Sequence, residues 1–288
     1  MNAGTNTGGS GNMIRLVGGL VILLVAAVLL YYLYDYMFNV GSLQKKADII
    51  PGPIASPLTT AIVYPSAAQA ASVKLENVIY TGGEMSLSFW FYVTNVATDN
   101  MSKKHILHLG STVTANQITT TYTTLAVALG PGNTNALFIK VGTTVPGGNF
   151  NMDTFMAMSD TTTTSEACSI ENIEFGRWVN CVIVLNNNIC DVYMDGKLSR
   201  SCVLKGQFNV PANSPLLMTV LKPSFGTTPF KTDWKGSFSG LSLYNYALSP
   251  DAAYRIYMAG PSGASGDLWA AIKAFFAAGE KVAPVVGF

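Results

Sequence analysis

The chain has 288 residues, of which 49% are hydrophobic and only 11% charged, and its net charge is +1. The length fits one large β-domain or two ordinary domains, and so low a charge share, against a globular norm of about 25%, leaves solubility to Ser, Thr, Asn and Gly. The 17 basic residues are scattered; without clustered Lys and Arg there is no field to hold DNA, RNA or acidic substrates, which excludes nucleic-acid binding.

Residues 1–15 are rich in Gly, Asn and Thr and read as a flexible tail. Position 2 is Asn, so the myristoylation pattern fails. Residues 16–38 follow as a transmembrane helix. Leu16 to Tyr34 is free of charge, and nineteen residues at about 1.5 Å each span roughly 29 Å, the thickness of a hydrocarbon core. Tyr31, Tyr32, Tyr34, Tyr36 and Phe38 form an interfacial aromatic belt at one end, and Arg15 closes the other. A cleaved signal peptide would have a shorter apolar stretch followed by small residues, not tyrosines. The basic residues are split, Arg15 before the span and Lys45 and Lys46 after it, so orientation is not readable. Residues 39–71 carry Pro51, Pro53, Pro57 and Pro65 among Ser, Ala and Thr and read as a semi-extended linker.

Residues 72–260 form the next unit. Short runs rich in Val, Ile, Phe, Tyr and Thr, separated by turn residues, predict antiparallel strands. In Ser86–Val93 the residues Leu87, Phe89, Phe91 and Val93 share a face. His105–Gly110, Thr124–Leu129, Ala136–Val141 and Asp153–Met158 are the next predicted strands. Trp178–Leu185 is apolar on both faces, which predicts a central strand. Cys190–Met194 and Leu198–Leu204 flank Asp195-Gly196, a hairpin signal. Leu216–Leu221 and Gly236–Tyr244 complete the set. Many strands without long helices between them predict an all-β, two-sheet antiparallel sandwich. Trp90 and Trp178 are suited to the space between the sheets. Ser249-Pro250 fits a helix N-cap followed by proline at the first helical position.

Three segments carry a family resemblance. Ser86–Val93 (SLSFWFYV) resembles the early strand of concanavalin A-like, laminin-G-like jelly rolls. Phe175–Leu198 (FGRWVNCVIVLNNNICDVYMDGKL) resembles their Gly-x-Trp strand and Tyr-x-Asp-Gly hairpin. Trp234–Tyr257 (WKGSFSGLSLYNYALSPDAAYRIY) resembles their closing strand and short helix. The resemblance implies a jelly-roll sandwich over roughly residues 72–258. It also implies two features that some relatives have, calcium binding and glycosidase activity. Asp99, Asp153 and Asp160 are scattered over loops and no spacing singles them out, so calcium is possible but unsupported and no cofactor is expected. The glycosidases of this fold carry Glu-x-Asp-x-x-Glu on one strand, and the sequence has no such string; Glu171 and Glu174, three apart, point to opposite faces. No Gly-x-Ser-x-Gly elbow or P-loop occurs, and the expectation is that the chain is not an enzyme.

His105 and His108, the two histidines, are three apart and are expected on opposite faces of a strand, unable to share a metal. The four cysteines lack a C-x-x-C pair, which argues against zinc. Cys190 and Cys202 are nearly symmetric about the Asp195-Gly196 turn and are a candidate disulfide, with Cys168 and Cys181 a weaker second pair. Buried free thiols are the other reading. Asn100-Met101-Ser102 is a glycosylation sequon, relevant only in a secretory lumen.

Residues 261–288 form a C-terminal helix and tail. Leu268, Trp269, Ile272, Phe275 and Phe276 share one helical face, a stripe suited to a protein partner or to the chain's own domain. Asn180–Gly206 is similar to membrane-anchored jelly-roll proteins of large double-stranded DNA viruses. That resemblance implies a structural or assembly role, in which the domain binds neighbouring proteins such as capsid shell proteins at an internal virion membrane. The alternative is a membrane-displayed, lectin-like glycan binder using Trp234 and Tyr122.

Overall fold

In the computed structural model the described residues are 8–38, 46–65, 83–96, 102–114, 117–132, 134–146, 148, 150, 152–157, 167–210, 216–225, 230–231 and 234–261. In chain order the elements are α1 (Gly8–Phe38), β1 (Lys46–Ile50), β2 (Ile54–Ser56), β3 (Ile62–Tyr64), β4 (Glu84–Val96), β5 (Lys104–Thr114), β6 (Gln117–Leu129) and β7 (Ala136–Val141). Then come α2 (Met152–Ala157), β8 (Ile170–Glu171), β9 (Trp178–Asn186), β10 (Ile189–Met194), β11 (Lys197–Val203), β12 (Leu216–Val220), β13 (Ser224–Phe225), β14 (Phe230–Lys231), β15 (Trp234–Tyr244) and α3 (Pro250–Ala259). Two units result, residues 1–45 and 46–288.

The first unit is built on α1. Its stretch Arg15–Leu33 is long and apolar enough to cross a membrane. The helix begins at Gly8, so residues 8–14 are not the flexible tail their composition suggests. Once an apolar helix is nucleated, each further residue adds a hydrogen bond at little cost, and propagation runs into weak formers.

The second unit is a sandwich. A seven-stranded sheet runs β1-β15-β4-β9-β10-β11 with β2 also on β15, and a six-stranded sheet runs β3-β12-β5-β6-β7-β8. All pairings are antiparallel. β4 shows why: Leu87, Phe89, Phe91 and Val93 enter the main core, where the Phe89 and Phe238 rings stack. Alternation therefore puts Ser86, Ser88 and Trp90 on the outer face.

Lys46–Tyr64 departs from the expected linker, because β1, β2 and β3 are sheet strands. Pro51, Pro53, Pro57 and Pro65 fall just outside those strands. Short strands at sheet borders tolerate such neighbours, since few ladder bonds depend on them. The predicted strand Asp153–Met158 is instead the helix α2. Met152, Phe155 and Met156 follow helical spacing and pack on Ala126 and Ala128 of β6, whose small side chains leave room. Trp90 and Trp178 are not between the sheets. Trp90 stacks on Tyr257 of α3, and half-buried Trp178 meets Tyr92 edge-on.

α3 starts as its residues dictate. The Ser249 hydroxyl accepts the Ala252 N–H at 3.2 Å, Pro250 opens the first turn, and Asp251 sits at its positive end. Tyr244, Leu248 and Ala253 form a second core on the outer face with Val182, Val184 and Tyr193.

Candidate functional site

The β10–β11 hairpin turns at Asp195-Gly196, both with positive φ (50° and 74°), as a tight right-twisted hairpin requires. A side chain at Gly196 would meet Tyr254 and Tyr257 of α3 at about 3 Å, so the helix rests on the turn. Asp195 is fixed by Arg177 at 2.7 Å and by the Asn180 N–H at 2.9 Å.

Cys190, Val192 and Met194 belong to the main core or pack against it, so Ile189, Asp191 and Tyr193 point outward, to the face α3 covers. Their cross-strand partners on β11 are Val203, Ser201 and Leu198. Among the described residues beyond α1, the exposed large hydrophobics are Ile189, Leu198, Val203 (72% exposed), Tyr254 and Met258 (64% exposed). All five lie on this hairpin or on α3. Lys197, Arg200 and Lys205 are exposed beside them, and no Asp or Glu occurs from Gly196 to Lys231. Asp191, one strand inward, is half-buried. The corner is thus apolar with a basic border, at the edge of a sheet. Sequence reasoning placed Leu198–Leu204 on a strand and missed its edge position. The acid-free basic run around Ser201-Cys202-Val203 was the available signal.

The disulfide is Cys168–Cys202, with Cα atoms 5.9 Å apart. The candidate pair Cys190–Cys202 is not the one formed, although those two residues do face each other in register. Cys168 is held by its N–H on the Ile139 carbonyl of the opposite sheet, with Sγ 3.5 Å from the Cys190 carbonyl oxygen. It reaches half-buried Cys202 from across the sandwich, while Cys190 is wholly buried in the core. The bond ties together the borders of the two sheets. Cys181 and Cys190 are free and buried. Burial, with the Asp191 charge behind it, pushes the Cys190 thiol up to about 12; burial, then Cys190 and Asp195, raises Cys181 well above its ordinary value. Folded protein will therefore take up almost no iodoacetamide at these positions. Unfolding should expose two alkylatable thiols per chain, and reduction two more. Mass spectrometry showing fast native labelling of Cys190 would contradict the packing.

The histidines overturn the opposite-faces expectation. The β5–β6 register shifts between His105 and Leu107, so Ile106 is an extra residue. A bulge of one residue reverses the alternation and brings i and i+3 to one face. His105 Nε2 lies 2.9 Å from His108 Nδ1, and the Lys222 N–H donates to His105 Nδ1 at 2.9 Å. With Nδ1 accepting, Nε2 is the His105 atom that carries the proton and donates to His108. Desolvation depresses both imidazoles: His105 well below its ordinary value, helped by His108 and Lys222, and His108 to about 3, helped by Lys222. Both are neutral at physiological pH.

Trp234, the candidate glycan platform, is 1% exposed, lies in the core and donates its indole N–H to the His105 carbonyl at 3.2 Å. It is therefore a core residue, unavailable to a sugar. Tyr122 sits on β6 opposite Ser111, and its side chain lies outside the described residues. Leu268, Trp269, Ile272, Phe275 and Phe276 lie outside them as well, as do Asn100, Asp99 and Asp160. Among the described residues no group of three His, Cys, Asp or Glu could hold a metal. A groove of about 400 Å³ between α3 and the outer sheet face is lined by Lys46, Asp48, Ser88, Trp90, Ser242 and Arg255. Its charged groups are already partnered. Asp48 Oδ1 takes Lys46 at 2.7 Å and the Ser242 hydroxyl at 2.6 Å, and Arg255 pairs with Asp251. Burial pushes the Asp48 carboxyl up, but those two hydrogen bonds and the Lys46 charge outweigh it and leave it below its ordinary value.

Two antiparallel sheets around one core, a Tyr-x-Asp-Gly hairpin and a short helix closing one face define a jelly roll of the lectin-like class. The chain belongs to the concanavalin A-like lectin/glucanases superfamily: the laminin G model of that family matches residues 67–253. No curated protein matches the sequence. Among solved structures, a Trypanosoma rangeli sialidase is 14% identical with a TM-score of 0.43, over 74% of this chain and 27% of that one. The binding domain of botulinum neurotoxin serotype G is 11% identical with a TM-score of 0.44, over 75% of this chain and 46% of that one. The binding domain of a botulinum neurotoxin DC, solved in complex with rat synaptotagmin II, is 9% identical with a TM-score of 0.42, over 75% and 46%. The chain thus spans between about a quarter and about half of the length of these structures.

Proposed function

We propose that this protein is a membrane-anchored docking protein with no catalytic role. α1 holds it in a bilayer, and the jelly roll offers the β10–β11/α3 corner to a partner protein. The observation that carries this reading is the gathering of every exposed large hydrophobic among the described residues beyond α1 at that one corner. Scattered surface hydrophobics need no explanation, but a cluster with a polar border is the mark of an interface. The resemblance of Asn180–Gly206 to proteins of large DNA viruses makes a capsid shell protein the partner to try first. The apolar stripe Leu268–Phe276 supplies a second contact in this reading. A glycan-binding role remains compatible with the fold, but it has lost Trp234 as its platform.

The test uses full-length protein in native membranes, with a photo-crosslinker in place of Val203 or, as control, of exposed Lys235 on β15, separated from β11 by β4, β9 and β10. The expected result is resistance to carbonate extraction and one stoichiometric protein adduct from position 203 alone. Leu198→Ser with Met258→Ser should abolish that adduct without changing the circular dichroism spectrum, since both side chains are exposed. Release by carbonate would remove the anchor, and equal adducts from both positions would remove the docking corner.

A further inference from the structure

The border of that corner is a strand edge, and its chemistry selects what can pair with it. β11 ends its sheet, and six of its seven residues are exposed. Among the described residues no backbone hydrogen bond from outside the hairpin reaches Lys197–Val203. Such a rim is a ready template for another strand unless something blocks it.

Two features act as partial blocks. The register with β10 skips Ser199, a bulge next to the turn. Lys197 and Arg200 place charge along the rim. The bulge leaves Arg200, Ser201, Cys202 and Val203 in regular register, about 13 Å of straight edge. That edge is held in place from behind. Cys202 is tied to Cys168, and Arg200 Nη1 donates to the Ser169 carbonyl at 2.6 Å. An ordered template reduces the entropy that a docking strand must overcome.

The charges decide between partners. Two copies of β11 paired edge to edge would set basic residues against basic residues, with no carboxylate between Gly196 and Lys231 to relieve them. Self-assembly through this rim is therefore disfavoured. A strand with acidic residues on the side of Val192 and Met194 meets their cross-strand partners Arg200 and Lys197 with opposite charge. Its alternate apolar residues fall on the outer face, where Val203 and Leu198 are exposed.

We propose that the Arg200–Val203 rim binds an extended segment of a partner protein in which acidic and apolar residues alternate, adding it as a further strand. This rests on the docking reading above and names the partner's chemistry.

The experiment uses the full-length, disulfide-intact protein in nanodiscs of neutral lipid. The probe is a labelled octapeptide of alternating Glu and Val, with a Lys/Val octapeptide as control. The Glu/Val peptide should bind saturably and at least about tenfold more tightly than the control. Lys197→Glu should weaken it by about tenfold while leaving Arg200 and its bond to Ser169 in place. Raising salt from about 50 to about 300 mM should weaken it too. Amides 200–203 should exchange more slowly with peptide bound. Equal binding of the two peptides, or binding with no new protection at 200–203, overturns the proposal. So does protection of the same amides by nanodiscs containing phosphatidylserine with no peptide present, which assigns the rim to lipid. If position 203 still cross-links to one protein while the Glu/Val peptide does not bind, docking stands and strand addition is wrong. If both fail, both readings fall.

Discussion

Trp234→Ala will destabilise the sandwich by about 3–5 kcal/mol, the range for removing a fully buried tryptophan. Trp234 heads the largest fully buried side chains and belongs to the main core. Its N–H bonds the His105 carbonyl at 3.2 Å, so truncation opens a cavity and also leaves a buried acceptor unpaired. The neighbourhood cannot collapse to fill the space. A Cβ at Gly236 would lie 1.8 Å from the Tyr92 carbonyl oxygen, so the strands there already touch. For a domain stable by about 5–15 kcal/mol the loss is severe. Trp234→Phe, which keeps most of the volume, should cost clearly less. Urea denaturation of the full-length protein in detergent, followed by circular dichroism, measures both. A midpoint for Trp234→Ala equal to that of the parent would refute the packing. Any loss of ligand or partner binding in this variant is then a loss of fold, not of a contact residue.

The contrast between Trp234 and Trp90 shows what a sequence of this kind reveals. The alternation in Ser86–Val93 marks a strand and its core face correctly, because period two is a local property. Asp195-Gly196 and Ser249-Pro250 are equally local, and both occur where their chemistry puts them. Which tryptophan lies between the sheets depends instead on where α3 lands, and that is set by contacts far along the chain. Cys190 and Cys202 face each other as their symmetry about the turn implies, yet the bond goes to Cys168, brought in from the other sheet. The docking corner was hidden for the same reason. Leu198 and Val203 look like ordinary strand residues until the topology places their strand last. β1 to β3 were masked by prolines that sit between the strands rather than in them. The bulge at Ile106 has no sequence signal of its own, and it decides the state of the histidines.

That state sets the second large effect, an acid-sensitive fold. His108 titrates near 3 in the folded protein and near 6.5 when unfolded. Between those values the unfolded chain binds a proton that the folded chain refuses, so stability is complete above about 6.5 and falls with pH down to about 3. At about 1.4 kcal/mol per pH unit, His108 alone removes about 2 kcal/mol between pH 6.5 and 5. His105, depressed in the same direction by burial, His108 and Lys222, adds to the loss. Lys222 faces the pair, its backbone N–H on His105 Nδ1 and its charge opposing protonation of both rings. An added imidazolium would meet the Lys222 charge as well as the loss of solvation. Carboxylates with ordinary values near 4 stay ionised down to about pH 5, so the window from 6.5 to 5 isolates the histidines. The urea midpoint should fall steeply across that window. His108→Gln, which keeps an acceptor for the His105 proton, should flatten the fall by about half. A midpoint that stays constant from pH 6.5 to 5 would mean that both imidazoles take up protons inside the fold, against the desolvation and hydrogen bonding that hold them neutral.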